Sequence, residues 1–221
     1  MGEVKGTLRL HGPVCLGESH LHRIVADFQR EHPKILVELT LENRPIDLVH
    51  ENVDVAVRIG RPTEQSYIIR KIGLIERILV AAPHYLARHG VIRSPAGLAG
   101  HDIVVTDAVL SRQGTITLVK GKRSVPVSVD PVLKTNNARV LISALLAGRG
   151  LGPVQVPLVI EELAKGKLVP VLPGYDVKPS ELYIIYPTAR FLRPAVRSFI
   201  EFAAPALKAI KGISPINHRA G

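Results

Sequence analysis

The sequence predicts an α/β fold built from two alternating sets of strands and helices. Three observations carry that expectation. The stretch from Gly6 to Pro33, GTLRLHGPVCLGESHLHRIVADFQREHP, reads as a strand, a loop and a helix. Short apolar runs with alternating faces then recur between stretches of helical spacing along the 221 residues. A hydrophobic fraction of 46% supplies enough apolar surface for real cores.

In the first stretch, Thr7 to Leu10 is extended and Gly12 with Pro13 ends it. From Glu18 the apolar residues Leu21, Ile24, Val25 and Phe28 take the i, i+3, i+4, i+7 spacing of one helix face. Pro33 follows the last turn, where a helix stops. In open α/β sheets ligands bind outside the carboxyl ends of the strands. The loop from Gly12 to Ser19 is therefore the first candidate site.

Lys34 to Leu41 and Asp54 to Ile59 read as strands, with a short helix between them over Ile46 to Glu51. This order predicts parallel strands with right-handed crossovers. Ile68 to Ala82 is extended, Pro83 opens a short helix closed by Gly90, and Pro95 to Leu98 forms one helical turn. Ile103 to Thr106 is a strand, and 115–119 with 124–129 form a hairpin about Lys120–Arg123. After a strand over Val132 to Thr135, Asn136 or Asn137 caps a helix over Ala138 to Ala147. The glycines at 148, 150 and 152 permit a tight turn and close backbone approach. A helix over Leu158 to Leu163 and strands over Leu168 to Leu172 and Leu182 to Tyr186 follow. Pro194 opens the last helix, to Ile210, which Pro205 is expected to kink or end. That helix has no strand of its own to follow, so it returns to the first lobe. The expected division is 6–83 plus 187–210 for one subdomain, 84–186 for the other, and 211–221 for a tail. Two lobes with two crossings imply a cleft between them, a favoured place for a ligand.

Composition narrows the function. The net charge is +10, but the Lys and Arg residues are scattered, densest at Lys120, Lys122 and Arg123 and at Lys208 and Lys211. Aromatic residues make up only 4% and Trp is absent, which argues against stacking on single-stranded nucleic acid. One cysteine, Cys15, excludes an internal disulfide and fits the cytoplasm. No apolar run approaches the ~20 residues of a membrane helix, and MGEVKGTL lacks the apolar core of a signal peptide. Neither HExxH nor CxxC occurs, so neither metal nor cofactor is expected.

Eight stretches, in order, resemble the effector-binding domain of LysR-type transcriptional regulators from about Gly6 to Ala209. They are GTLRLHGPVCLGESHL, ADFQREHPKILVEL, DLVHENVDVAVRIG, RKIGLIERILVAAPHYLARHG, PAGLAGHDIV, ALLAGRGLG, LAKGKLVPVL and YPTARFLRPAVRSFIEF. The resemblance implies a fold like that of type 2 periplasmic solute-binding proteins: two Rossmann-like subdomains joined by two crossing strands. It implies a small-molecule effector in the cleft and a homodimer or homotetramer. DNA and RNA polymerase would be reached only through the full-length protein. The winged helix-turn-helix and linker helix of that family are missing here, so the chain reads as a fragment. A transport-type solute-binding protein of the same fold is the alternative reading, and the lack of an export signal weighs against it.

The candidate effector contacts follow the expected strand ends. Val14, Cys15, Leu16, Gly17 and Ser19 lie in the first loop. Amides and dipole at a helix start suit an anion, and Ser19 reads either as a contact or as the cap. Cys15 stands where many relatives have Ser or Thr facing the effector; the alternative is a small buried apolar residue. As a nucleophile it would need an oriented His, and His11, His20 and His22 form no such pattern, so no catalytic residue is assigned. Asn43 and Arg44 follow the second strand, and Arg58 and Ile59 end the third. An Arg on a carboxylate contributes ~1.5–3 kcal/mol, while the other reading of Arg58 is an ion pair with Asp54 or Glu76. The second lobe offers Thr106, Thr135 and Asn136, with Pro153 and Val154 beyond the glycine run. GRGLG follows a helix and precedes a strand, the reverse of a dinucleotide fingerprint.

Overall fold

A computed structural model describes residues 5–63, 66–188 and 192–215. The strands begin with β1 (Gly6–Gly12), β2 (Ile35–Leu41), β3 (Val55–Ile59), β4 (Tyr67–Ala81), β5 (Ile103–Thr106) and β6 (Thr115–Lys120). They continue with β7 (Arg123–Ser128), β8 (Pro131–Thr135), β9 (Leu151–Gln155), β10 (Val169–Pro170), β11 (Asp176–Pro187) and β12 (Ile213–Ser214). The helices are α1 (Val14–Leu16), α2 (His22–Glu31), α3 (Pro83–His89), α4 (Ala138–Leu146), α5 (Ile160–Ala164) and α6 (Pro194–Lys208). A π turn, Gly17–Leu21, joins α1 to α2. The chain divides into two compact units: unit 1 is 1–74 with 180–221, and unit 2 is 75–179.

Unit 1 is a sheet with β1 paired to β2 in parallel along its whole length, from Gly6 opposite Ile35 to Gly12 opposite Leu41. β3 joins the other side of β1 in parallel, with His11 opposite Ala56, and β11 pairs antiparallel to β3. On one face α2 and α6 pack together and against the sheet. Phe28 meets Phe199 edge-on, with ring centroids 5.2 Å apart. The opposite face buries Ile46, Leu48, Ala56, Tyr67, Tyr183 and Ile185. There the Tyr67 hydroxyl accepts the Leu48 amide at 3.1 Å, so the buried phenol is satisfied.

Unit 2 shows what period-two side-chain alternation does when both faces are covered. Leu79 and Ala81 of β4 with Ile103 and Val105 of β5 point into one core, which holds Tyr85, Leu98 and the hairpin residues Ile116 and Leu118. Val80 and Val104 point the other way, to Leu141 and Leu145 of α4. β9 runs antiparallel to β4 and parallel to β5, which pairs in parallel with β8. A Cβ on Gly152 would lie 2.1 Å from the Val104 carbonyl oxygen, so only glycine lets β9 pass.

Several local expectations need correction. The first helix begins at Val14, not Glu18, so most of the expected loop from Gly12 to Ser19 is helical. Pro13, extended at φ −70°, is the N-cap, and the Gly17 amide already donates to the Pro13 carbonyl at 2.8 Å. The apolar spacing breaks at this end because the turn widens: the His22 amide reaches back to the Gly17 carbonyl, five residues away. The segment Ile46 to Glu51 forms turns, not a helix, organised by Asp47, whose side chain accepts the Val49 and His50 amides. The expected helix over Leu158 to Leu163 is a 3₁₀ turn, Val156–Leu158, followed by α5. α6 runs through Pro205, because the missing N–H falls on the exposed side while Ala203, Ala204 and Leu207 hold the buried side.

Candidate functional site

The carboxyl ends of β1, β2 and β3 meet at one edge of unit 1, because all three strands run parallel. Five sequence candidates, Val14, Cys15, Leu16, Gly17 and Ser19, sit in α1 or the turn after it. The Val14 amide donates to Asn43 Oδ1 at 3.2 Å, tying the helix start to the end of β2. The Ser19 hydroxyl donates back to the Cys15 carbonyl at 2.7 Å, so Ser19 sits inside the π turn and is not the helix cap. Cys15 is half-buried. Leu16 is 1% exposed and belongs to the core. Gly17 is buried against Leu41, whose side chain a Cβ would meet at 2.2 Å.

Arg44 is held by two carboxylates. Its Nη1 and Nη2 donate to Glu51 Oε1 and Oε2 at 2.7 and 2.5 Å, a two-point fork, and its Nε lies 2.6 Å from Glu42 Oε2. The guanidinium beside it holds the Glu51 carboxyl below the usual carboxylate range. Arg58 and Ile59 end β3, where they pair with Tyr183 and Leu182 of β11. Asp54, one of the two carboxylates considered for Arg58, pairs with Arg193 and accepts the Arg9 amide at 2.9 Å.

His11 closes β1 at this edge and is 6% exposed. Burial pushes its imidazole below the ordinary value of 6.5, against the pull of Glu42 and Glu51; Arg44 and Arg58 push the same way as burial. His11, Glu42 and Glu51 are the residues of this cluster that sequence reasoning passed over as effector contacts. The available signal was position: each ends a strand or the turn that follows one, beside an Arg already chosen.

In unit 2 the carboxyl ends of β5 and β8 bring Thr106 opposite Thr135. The Asp107 amide donates to the Thr135 carbonyl at 3.2 Å, and the Asn137 amide donates to Thr135 Oγ1 at 3.1 Å. Asn137, not Asn136, caps α4, accepting the Arg139 and Val140 amides at 2.8 and 3.3 Å. Asn136 is exposed between Thr135 and that cap. Pro153 and Val154 are buried in β9, and Val154 packs into the core beside α4. Nearby, Tyr85 accepts the Asp102 amide at 3.0 Å and lies 3.2 Å from His101 Nδ1.

Among the described residues no group of three or more His, Cys, Asp or Glu is arranged to hold a metal ion, and no helix is long and apolar enough to cross a membrane. What the unit 1 edge offers is a buried imidazole, a charged network of Glu42, Arg44, Glu51 and Arg58, and the start of a helix.

The LysR substrate binding domain profile matches residues 1–208. The chain is 33% identical over 204 residues to the HTH-type transcriptional regulator PtxR of Pseudomonas aeruginosa, covering 90% of this chain and 64% of PtxR. It is 30% identical over 200 residues to the HTH-type transcriptional activator TtdR of Escherichia coli, with the same coverages. The chain thus spans 64% of the length of these two regulators. Among solved structures, full-length AphB of Vibrio cholerae, a virulence activator, superposes with a TM-score of 0.80 at 27% identity, covering 91% of this chain and 68% of AphB. The CrgA regulatory domain of Neisseria meningitidis gives a TM-score of 0.80 at 24% identity, covering 92% of this chain and all of that domain, which speaks for the fold. The two-unit α/β architecture is that of LysR-type regulatory domains, of the type 2 periplasmic-binding-protein kind.

Proposed function

The chain belongs to the LysR substrate binding domain family, and from that premise we propose that it senses a small anionic effector at the carboxyl edge of the unit 1 sheet and relays its presence to a bacterial transcription regulator. One observation carries the location: parallel β1, β2 and β3 end together where α1 begins, with the charges of Arg44 and Arg58 both bearing on His11. The first-turn amides of α1 and the positive end of its dipole favour a carboxylate, as do the neighbouring guanidinium groups. Arg44 already satisfies Glu42 and Glu51, so its part is to hold the edge in shape.

The relatives are transcriptional regulators, not enzymes, and no residue of this edge is assigned a catalytic role. The reading therefore includes no turnover. It places the chain in the cytoplasm, in a homodimer or homotetramer, with DNA and RNA polymerase contacted through the rest of the regulator. A thermal-shift screen of small organic acids against neutral analogues tests the ligand class. Stabilisation by acids is the expected result. Stabilisation by neutral compounds alone overturns the anionic reading.

A further inference from the structure

His11 Nε2 is buried and makes no hydrogen bond, whereas Glu42 Oε2, also buried, is held by Arg44 Nε at 2.6 Å. His11 Nε2 and Glu42 Oε2 face each other at 4.0 Å. Leaving a buried ring nitrogen unsatisfied costs stability, and folded chains seldom do so without a reason. The Glu42 carboxylate is the acceptor that stands opposite the unpaired Nε2. The gap has a simple cause. A neutral imidazole protonated on Nδ1 presents a lone pair at Nε2, and a carboxylate presents only lone pairs. Two acceptors stand apart. A proton on Nε2 turns the same pair into a charge-assisted hydrogen bond, which closes to roughly 2.7–2.9 Å.

The surroundings are balanced for such a change. The residues paired beside His11 in the sheet, Thr40 and Ala56, are uncharged. The charges bearing on His11 are Glu42 and Glu51, which favour its protonation, and Arg44 and Arg58, which oppose it. With His11 neutral these four sum to zero. A proton leaves one positive charge, which an anion at the same edge offsets. The Glu42 side chain is 38% exposed, so its carboxylate has room to swing from Arg44 toward His11.

Resting on the reading that this edge holds an acidic effector, we propose that His11 and Glu42 form a proton-operated latch, which closes when an anion binds and so couples effector binding to uptake of one proton. The proton comes from solvent and adds to the Nε2 lone pair; no other bond changes. Linkage makes the effect reciprocal: acid strengthens anion binding, and the anion strengthens proton binding.

Two measurements on the purified chain test the latch. The first follows the imidazole resonances by NMR against pH, with the His11 signal assigned from its loss in His11→Gln. In the parent the His11 midpoint is expected below that of the exposed histidines. In Glu42→Gln it is expected to fall by a further half unit or more, because the carboxylate that stabilises the imidazolium is gone. A His11 midpoint unmoved by Glu42→Gln overturns the latch. The second measures the dissociation constant of benzoate, ionised throughout, at pH 6 and pH 8. At least threefold tighter binding at pH 6, lost in His11→Gln, supports the coupling. Benzoate binding equally at both pH values overturns it. If neither benzoate nor any acid of the screen binds, the ligand reading fails, and the NMR titration still decides whether the latch exists.

Discussion

At the scale of single residues, burial makes His11 a source of acid sensitivity. Its imidazole titrates below 6.5 in the folded chain, so at acid pH the unfolded chain binds more protons than the folded one. The stability from a neutral His11 is fully present above about 6.5, the unfolded value, and declines as pH falls below it, until the folded imidazole takes up its own proton. His11→Gln is expected to flatten this decline between pH 7 and pH 5. Urea midpoints measured across that range check it, and parallel curves for parent and variant would contradict it. Gly152 is the other residue whose identity is dictated. Its Cβ position lies 2.1 Å from the Val104 carbonyl oxygen, part of the backbone of the next strand. Gly152→Ala must push β9 off β5 and is expected to cost about 1–3 kcal/mol, as overpacking does; denaturant unfolding measures it. A variant as stable as the parent would show that the strands part at little cost.

At the scale of elements, caps and breakers make opposite predictions. Asn137→Ala leaves the Arg139 and Val140 amides of α4 without their acceptor and is expected to cost ~1 kcal/mol. Pro205→Ala restores an N–H inside α6 on its exposed side. The gain of removing an interior proline, ~3 kcal/mol, is reduced by up to ~1 kcal/mol of lost rigidity in the unfolded chain, so a net stabilisation of about 2–3 kcal/mol is expected. Melting temperatures of both variants check the signs. These elements also show which parts of the fold were legible in sequence. Alternation exposed β1, β2, β3 and β5, because a residue pointing to one core is followed by one pointing to the other, as Val104 and Val105 do. The start of the first helix was not legible: a π turn shifts the apolar spacing, so the pattern becomes regular only after the true N-terminus. The expected helix over Ile46 to Glu51 gives way for a different reason, since the Asp47 side chain offers the backbone a turn that competes with the helix. At the candidate site, strand ends located Asn43, Arg44 and Arg58, but which charges pair is a matter of side-chain reach. The Arg44–Glu51 fork and the burial of His11 carry no spacing signal.

At the scale of the whole molecule, an effector that binds only the folded chain must raise its stability by RT ln(1 + [L]/Kd). At a hundred times the dissociation constant this is ~2.7 kcal/mol. For a chain of this size that corresponds to roughly 5–10 °C in melting temperature. The acid giving the largest rise is the strongest candidate effector. Arg58→Gln is expected to shrink that rise by half or more with little change in the unliganded melting temperature. An undiminished rise would remove Arg58 from the site.

Unit 1 is discontinuous, made of 1–74 and 180–221, whereas unit 2 is the single run 75–179. During synthesis the whole of unit 2 is translated before α6 is. Until then Phe28 lacks Phe199, and β1 lacks the helix that packs on it. The earliest-made strands are thus the last to be sealed, and the nascent chain carries an open greasy flank that a holding chaperone would meet first.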